Sequence, residues 1–198
     1  MIEMPEMPAM ARTVVISPPY RMFARRVLLP WVVGDEQPAG EGLEIGAGSG
    51  VMSAQLLAAF PALRMIVTDY DSKMVHTAQR ILRSFADRAD VQRADAADLP
   101  FADGRFDLVL SAAMLHHVLA WQDAVTEAVR VLRPGGRLIG YDPIESVLTR
   151  LVHITERHTT KMLSLGQMEA QLNRLAVTNV CVKPAFRGTV IRFSATKI

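Results

Sequence analysis

The stretch Leu-Glu-Ile-Gly-Ala-Gly-Ser-Gly-Val-Met-Ser, residues 43–53, decides the fold of this chain. An apolar run leads into three alternating glycines, a helix-forming segment at 54–60 follows, and Asp69 comes nineteen residues after the last glycine. Gly46 and Gly48 can adopt backbone angles that other residues avoid, and they let the main chain approach a ligand closely. A strand, a glycine turn, a helix and a second strand ending in an acid together predict an α/β sheet that holds an adenosine-containing cofactor.

The glycine spacing and its neighbours distinguish between two such cofactors. The pattern is Gly-x-Gly-x-Gly, and Val51 stands where a dinucleotide-binding turn would place its third glycine. Glu44 puts a carboxylate at the tip of the first strand, where it would repel a pyrophosphate and attract the ammonium group of a methionine moiety. The residues therefore favour S-adenosylmethionine over NAD, with Asp69 accepting hydrogen bonds from the ribose.

With these motifs the chain resembles the class I (Rossmann-like) S-adenosylmethionine-dependent methyltransferases, in particular their small-molecule, type 11-like group. Four further blocks match the family in order: the second strand with its acid, the segment before the fourth strand, the fourth strand with its exit, and the turn into the fifth strand. The five blocks span about residues 42–142, and their order makes the resemblance specific. The four further blocks are residues 67–74, 93–101, 106–118 and 131–139.

The resemblance implies a set of cofactor contacts along the carboxyl ends of the strands. Glu44 would bind the methionine ammonium, directly or through water, and Tyr70 would lie beside the adenine. Asp95 would take the adenine amino group, with Asp98 as its competitor. The implied cofactor-binding residues are Glu44, Gly46, Ala47, Gly48, Gly50, Asp69, Tyr70, Asp95, Ala96, Ser111 and Ala112.

Several of these residues also have an ordinary structural interpretation. Asp69 could cap the helix that follows it, Glu44 could pair with a nearby cation, and Tyr70 could pack on the edge of the sheet. Ser111 and Ala112 are expected to contact the methionine end of the cofactor through their backbone atoms.

The exit of the fourth strand argues against a nucleic-acid base as the methyl acceptor. Enzymes of the resembled family that methylate exocyclic amines of bases have Asn/Asp-Pro-Pro and an aromatic residue there, whereas this chain has Ser-Ala-Ala-Met at 111–114. The candidate substrate-binding residues are Met114, which could equally fill the core, and Tyr20 in the predicted N-terminal helix.

His116 and His117 are the candidate catalytic residues, because a histidine can accept the proton of a hydroxyl acceptor near neutral pH. The alternative is that they line the pocket or contact the methionine end, since Leu-His-His is frequent in the resembled family whatever the acceptor. His153 and His158 lie on a predicted lid and are expected at the surface. No cluster of Cys, His and carboxylates has the spacing of metal ligands, so we expect no metal.

The alternation of strands and helices predicts one domain, residues 1–198, of the doubly wound α/β class with a mostly parallel sheet. The resemblance implies seven strands with helices on both faces, and residues 177–182 and 189–195 predict a C-terminal antiparallel hairpin. Residues 1–17 are expected to be flexible and 143–165 to form a short lid over the carboxyl ends of the strands.

The remaining elements are predicted from apolar periodicity and from Pro, Gly and capping residues. The N-terminal helix is predicted from the spacing of Tyr20, Phe23, Val27 and Trp31, and Ser72 is the predicted N-cap of a later helix. The predicted strands are 42–45, 64–69, 91–94, 107–111 and 137–141, and the predicted helices are 18–33, 51–60, 72–84, 121–132 and part of 142–175.

The composition of the 198 residues fits a single globular domain in the cytoplasm. Half of the residues are apolar and 21% are charged, which is enough for a sizeable core. Cys181 is the single cysteine, so no intramolecular disulfide can form. The longest uncharged stretch, 108–122, is too short to span a membrane, and the first residues lack the pattern of a secretory leader.

The net charge of +2 is unevenly distributed. Residues 146–198 hold eight Lys or Arg against Glu156 and Glu169, a balance of +6 that leaves −4 for the first 145 residues. Such asymmetry can attract an anionic partner. Because few aromatic residues lie among these cations, we interpret them as a solvated basic helix face and expect no nucleic-acid partner. The oligomeric state stays open.

The predicted function is the transfer of a methyl group from S-adenosylmethionine to a small-molecule acceptor by in-line displacement. One alternative within the same chemistry is the methylation of a protein side chain or of ribosomal RNA. A second is a non-catalytic subunit that binds S-adenosylmethionine and regulates a partner, and an NAD-linked oxidoreductase is a distant third. Nothing in the residues identifies the acceptor or its reacting atom.

Overall fold

The computed structural model describes residues 17–144 and 163–198. The flexible segment predicted for 1–17, except its last residue, and most of the predicted lid at 143–165, with His153 and His158, lie outside these residues. The two ends of that lid prediction belong to other elements, since Pro143 ends a strand and Leu165 begins a helix.

Seven strands form one sheet in the order β3-β2-β1-β4-β5-β7-β6. The first five pair in parallel, and β7 is antiparallel to both β5 and β6. This confirms the predicted doubly wound sheet with its antiparallel C-terminal hairpin. The strands are β1 Gly40–Ile45, β2 Leu63–Asp69, β3 Ala89–Arg93, β4 Phe106–Ala112, β5 Leu132–Pro143, β6 Val177–Ala185 and β7 Val190–Lys197.

Helices cover both faces of the sheet, and each face has its own hydrophobic cluster. The N-terminal helix consists of α1 Pro18–Phe23, a π-helical turn Ala24–Leu28 and α2 Leu29–Val33. It packs on the same face as α3 Val51–Ala59 and α4 Ser72–Ile81. The opposite face carries α5 Trp121–Val131 and α6 Leu165–Leu172.

The N-terminal helix has the predicted bounds, but the apolar residues that it buries are not the ones from whose spacing it was predicted. Phe23 and Val27 are exposed, whereas Ala24, Leu28 and Val32 pack in the core. Both stripes have four-residue spacing and differ by one position, so periodicity alone does not distinguish them. Phe23 and Val27 therefore face away from the core, whereas Trp31 of the same stripe is partly buried against it.

Two predicted helix boundaries are wrong. Helix α4 is capped by Asp71, whose side chain accepts the backbone N–H of Lys73 at 2.7 Å, and not by Ser72. The prediction that part of 142–175 forms a helix is also wrong about where that helix begins. Strand β5 continues through Asp142 and Pro143, and α6 starts only after Ser164, which forms a capping box with Gln167.

The start of β5 also differs from the prediction. The strand begins at Leu132, which pairs with Phe106, and runs through the Pro-Gly-Gly segment that was expected to be a turn. The register shifts between Phe106 and Leu108, so the segment is accommodated as a bulge rather than as a break. Between β1 and β4 the order of strands reverses direction, which is where an open α/β sheet binds its ligands.

Candidate functional site

The glycine turn after β1 has left-handed backbone conformations at its three glycines. Gly46, Gly48 and Gly50 have φ angles of +58°, +55° and +74°. A β-carbon at Gly46 would lie 2.6 Å from the Cε atom of Met114, and one at Gly50 would lie 3.0 Å from the β-carbon of Ala78. The turn therefore requires glycine both for its conformation and for its packing.

Glu44 is buried beneath this turn and is held by α3. The hydroxyl and the backbone N–H of Ser53 both donate to one carboxylate oxygen, the N–H at 3.0 Å. Ser53 is the third residue of α3, so the carboxylate lies at the positive end of that helix. Burial raises the pKa of Glu44 to about 7, against the opposing effect of the two hydrogen bonds from Ser53. A buried group of this kind favours either a proton or a cationic ligand.

Asp69, at the end of β2, joins the second strand directly to the glycine turn. Its two carboxylate oxygens accept the N–H groups of Gly48 at 2.7 Å and Asp71 at 2.8 Å. Ala47 adds a second link between turn and strand, since its N–H donates to the carbonyl of Thr68 at 2.9 Å. Burial raises the pKa of Asp69. Because Asp71 caps α4, the interpretation of Asp69 as a helix cap is wrong.

The two residues predicted at the adenine follow neighbouring strands at the same edge of the sheet. The guanidinium of Arg93 lies over the ring of Tyr70, with Cζ 4.9 Å from the ring centroid, and its Nε donates to the Tyr70 carbonyl at 2.9 Å. Asp95 accepts the N–H of Ala97 at 2.9 Å through one carboxylate oxygen, and Ala96 is buried. Arg93 thus orients Tyr70, a contact that sequence reasoning missed.

The exit of β4 lies between the ends of β1 and β5. Ser111 is buried, pairs with Ile45 of β1 and Gly140 of β5, and its hydroxyl has no hydrogen-bond partner among the described residues. Ala112 ends the strand and Ala113 follows at a φ angle of +54°, a costly conformation for a residue with a β-carbon. This turn directs Met114 onto the glycine turn, as its contact with Gly46 indicates. The side chain of Tyr20 lies outside the described part of the structure.

The two histidines differ in their burial, and His116 has a carboxylate partner, Asp142, that the sequence analysis did not identify. His116 is buried, with Nδ1 2.8 Å from Oδ1 of Asp142. His117 is half-buried, and its ring contacts that of His116 at 3.9 Å between centroids with an interplanar angle of 43°. Asp142 is fully buried and also accepts the backbone N–H groups of Leu115 at 2.8 Å and His116 at 3.3 Å. With its Nδ1 proton donated to the carboxylate, His116 has a fixed ring orientation and a defined tautomer.

A sequence signal for Asp142 exists in its position. Like Asp69, it is an acid near the carboxyl end of an apolar strand, but the predicted strand ends two residues too early, at Tyr141 instead of Pro143. Within residues 17–144 and 163–198, no three His, Cys, Asp or Glu side chains are grouped as metal ligands would be. No helix in the same ranges combines the length and apolarity that crossing a membrane requires.

Comparison with known proteins shows that this chain is similar to methyltransferases. The family model described as a methyltransferase domain matches residues 43–140, which include the glycine turn, Asp69 and both histidines. Demethylmenaquinone methyltransferase of Clavibacter sepedonicus is 37% identical over 97 residues, covering 49% of this chain and 38% of that protein. Malonyl-acyl-carrier-protein O-methyltransferase of Methylococcus capsulatus is 38% identical over 104 residues, covering 51% of this chain and 36% of that protein. The chain therefore spans well under half the length of each relative.

Solved structures share the fold across nearly the whole chain. Phosphoethanolamine N-methyltransferase 2 of Haemonchus contortus, in complex with phosphomonomethylethanolamine and S-adenosylhomocysteine, has a TM-score of 0.78. The match covers 95% of this chain and 57% of that one, at 16% sequence identity. At this identity the likeness shows the fold alone.

Proposed function

Because this chain belongs to the class I S-adenosylmethionine-dependent methyltransferases, we propose that it transfers the methyl group of S-adenosylmethionine to a small-molecule acceptor. The observation that most supports this function is the hydrogen bond from the N–H of Gly48 to the Asp69 carboxylate, at 2.7 Å, beside the buried Glu44. An acid fixed at the turn suits a ribose, and a buried carboxylate near it suits an ammonium group.

The described residues fit this cofactor by their chemistry. Two carboxyl groups, the buried Glu44 and the half-buried Asp69, have raised pKa values and gain from a cation or from hydroxyl donors. The hydroxyl of Ser111 is a further buried polar atom that a ligand can satisfy. We assign the ammonium to Glu44, the ribose to Asp69 and the adenine to Asp95 and Ala96.

The protein's part in the reaction is to place the acceptor and exclude water. The bound cofactor supplies a methyl group on a sulfonium, which an acceptor atom displaces in line. Met114 forms an apolar wall on the glycine turn, and together with Tyr20 it remains our candidate for contact with the acceptor. The proposed compartment remains the cytoplasm.

We assign His116 to positioning rather than to proton transfer. Asp142 holds its Nδ1 at 2.8 Å, and the same carboxylate fixes the backbone of the turn Leu115–His117 by two N–H groups. A side chain so firmly held shapes the wall of the acceptor pocket. His117, which is half-buried and contacts the His116 ring at a tilt, is the better placed of the two to meet a mobile acceptor.

The raised pKa of Glu44 predicts a pH dependence of stability. A carboxyl with a folded pKa of about 7, above its unfolded 4.5, contributes stability below pH 4.5 that is lost as the pH rises through 7. We expect the free energy of unfolding to fall by about 2–3 kcal/mol between pH 5 and 8 through this group. Urea unfolding across that range measures it, and Glu44→Gln, which keeps an acceptor for Ser53, should remove most of the slope.

The raised pKa of Glu44 should also make the affinity for the cofactor depend on pH. If Glu44 meets the ammonium, S-adenosylhomocysteine should bind more tightly as the pH rises from 5.5 to 7, whereas 5′-methylthioadenosine, which lacks the ammonium, should not. A parallel pH dependence for both ligands, or one that survives Glu44→Gln, would contradict the assignment.

The proposed activity is tested by supplying methyl-labelled S-adenosylmethionine with an extract of small metabolites and separating the labelled products. The first defined acceptors should be a demethylated quinone and an acyl-carrier-protein thioester, the acceptor types in the names of the two relatives. Labelled small molecules support the proposal. Label on a quinone or on an acyl group released from the carrier protein by hydrolysis counts as small-molecule label. Label found only in protein side chains or RNA, or in no product although the cofactor binds, overturns the proposal.

A further inference from the structure

Exposed apolar side chains are concentrated on the N-terminal helix. Met22, Phe23 and Val27 are 54%, 43% and 37% exposed, and they are three of the six large hydrophobic residues exposed among the described ones. A fourth, Phe186, is 43% exposed and packs on Trp31 of the same helix at 5.0 Å between ring centroids. We call Met22, Phe23, Val27 and Phe186, together with the cations described next, the apolar-basic face.

Arginines stand among these apolar groups. Arg21, Arg25 and Arg26 are exposed on the helix, and residues 18–34 contain no Asp or Glu. Arg187 is exposed beside Phe186 in the turn between β6 and β7. The face thus combines aliphatic and aromatic side chains with arginine cations.

The backbone of the β6–β7 turn is strained in a way that presents Phe186. Phe186 and Arg187 have φ angles of +48° and +58°, and Gly188 follows at +78°. Left-handed conformations of residues with a β-carbon persist only where the surroundings impose them, and they often mark functional surfaces. The Phe186 ring lies against Trp31 and is 43% exposed. Trp31 in turn packs on Tyr141 at 5.7 Å, next to Asp142 at the carboxyl end of β5.

We propose that the apolar-basic face binds the surface of an anionic lipid bilayer. Apolar side chains enter the boundary between headgroups and acyl chains, while arginines attract anionic headgroups. Met22 and Val27 cannot stack on bases, so a single-stranded nucleic acid would leave them without a partner. A symmetric contact between two copies of the chain would bring their arginines together. Binding at this face does not depend on methyl transfer.

Vesicle flotation with the full chain tests the proposal. We expect the protein to float with phosphatidylcholine vesicles that contain phosphatidylglycerol, at least tenfold more strongly than with pure phosphatidylcholine, and to be released by high salt. Phe23→Ser with Val27→Ser, and separately Arg25→Glu with Arg26→Glu, should each abolish flotation. Unchanged melting temperatures show that these exposed substitutions leave the fold intact.

Matched controls separate the face from general charge and hydrophobicity. Arg80→Glu with Arg83→Glu makes the same change of net charge on exposed residues of α4 and its following turn, and Ile198→Ser removes another exposed apolar group. Both controls should float like the unchanged protein. No flotation, equal flotation with neutral vesicles, or equal loss in the controls would overturn the proposal. Displacement from vesicles by single-stranded RNA, or a dimer that the face variants abolish, would overturn it in favour of those partners.

Discussion

Asp69→Ala is expected to weaken the binding of S-adenosylhomocysteine by about a hundredfold or more. The substitution removes the charged acceptor that we assign to two ribose hydroxyls, and each such hydrogen bond contributes about 1.5–3 kcal/mol. It also leaves the N–H groups of Gly48 and Asp71 without their acceptor, so the unliganded melting temperature should fall as well. Isothermal titration calorimetry and thermal unfolding measure the two effects separately.

Asp69→Asn is the matched control for this experiment, because it keeps one carbonyl acceptor and the size of the side chain. It should lose less stability than Asp69→Ala while still losing much of the affinity. If Asp69→Ala destabilises the unliganded protein but binds S-adenosylhomocysteine as tightly as before, Asp69 only supports the glycine turn.

Asp142→Ala should produce the largest loss of stability of any single substitution at the site. Asp142 is fully buried and accepts three hydrogen bonds, from Nδ1 of His116 and from two backbone N–H groups. Leaving buried donors without an acceptor costs about 1–3 kcal/mol each, so we expect the free energy of unfolding to fall by about 3 kcal/mol or more. Chemical denaturation measures this fall.

Two further variants make the Asp142 result specific. Glu169→Ala removes an exposed acid of α6 and should change stability by less than about 0.5 kcal/mol. Asp142→Asn keeps the shape and one acceptor, so it should recover part of the stability. A loss for Asp142→Ala as small as that for Glu169→Ala would refute the buried pairing of Asp142 with His116.

The cofactor half of the site was predictable because its signals are local in the chain. The glycine turn, Glu44 and Asp69 lie within 27 residues. The glycines indicate the backbone conformation of the turn, and the two acids indicate the charge of the site. The order of strands followed because alternating strands and helices admit few topologies. The roles of these residues toward the cofactor stay predictions.

The position of Asp142 at the edge of the sheet has a sequence signal, but its contact with His116 could not be predicted because it is not local. The two residues are 26 positions apart, and only the parallel pairing of β4 with β5 brings them together. Predicting β5 to end at Tyr141 placed Asp142 in a helix and concealed its position at the carboxyl edge. The start of α6 was missed for a different reason, since the capping pair Ser164 and Gln167 is a local signal that was overlooked.

The N-terminal helix shows that apolar periodicity can predict a helix without predicting which of its faces is buried. A stripe through Phe23 and Val27 and a stripe through Ala24 and Leu28 have the same spacing, and small Ala24 gives the second a lower apparent hydrophobicity. The helix buries the second stripe, with Ala24 fully buried in the cluster that it shares with α3, and the pattern of a single helix does not contain this tertiary contact.

The most direct test of the account is thermal unfolding with S-adenosylmethionine, S-adenosylhomocysteine and NAD, each at one hundred times the dissociation constant of S-adenosylhomocysteine. A ligand at one hundred times its own dissociation constant stabilises the folded protein by about 2.7 kcal/mol. For a domain of this size that corresponds to a rise in melting temperature of about 5–10 °C. We predict such a rise with S-adenosylhomocysteine, a clear rise with S-adenosylmethionine and none with NAD. An equal rise with NAD, or no rise with either sulfur-containing ligand, would contradict the central claim that this site binds S-adenosylmethionine.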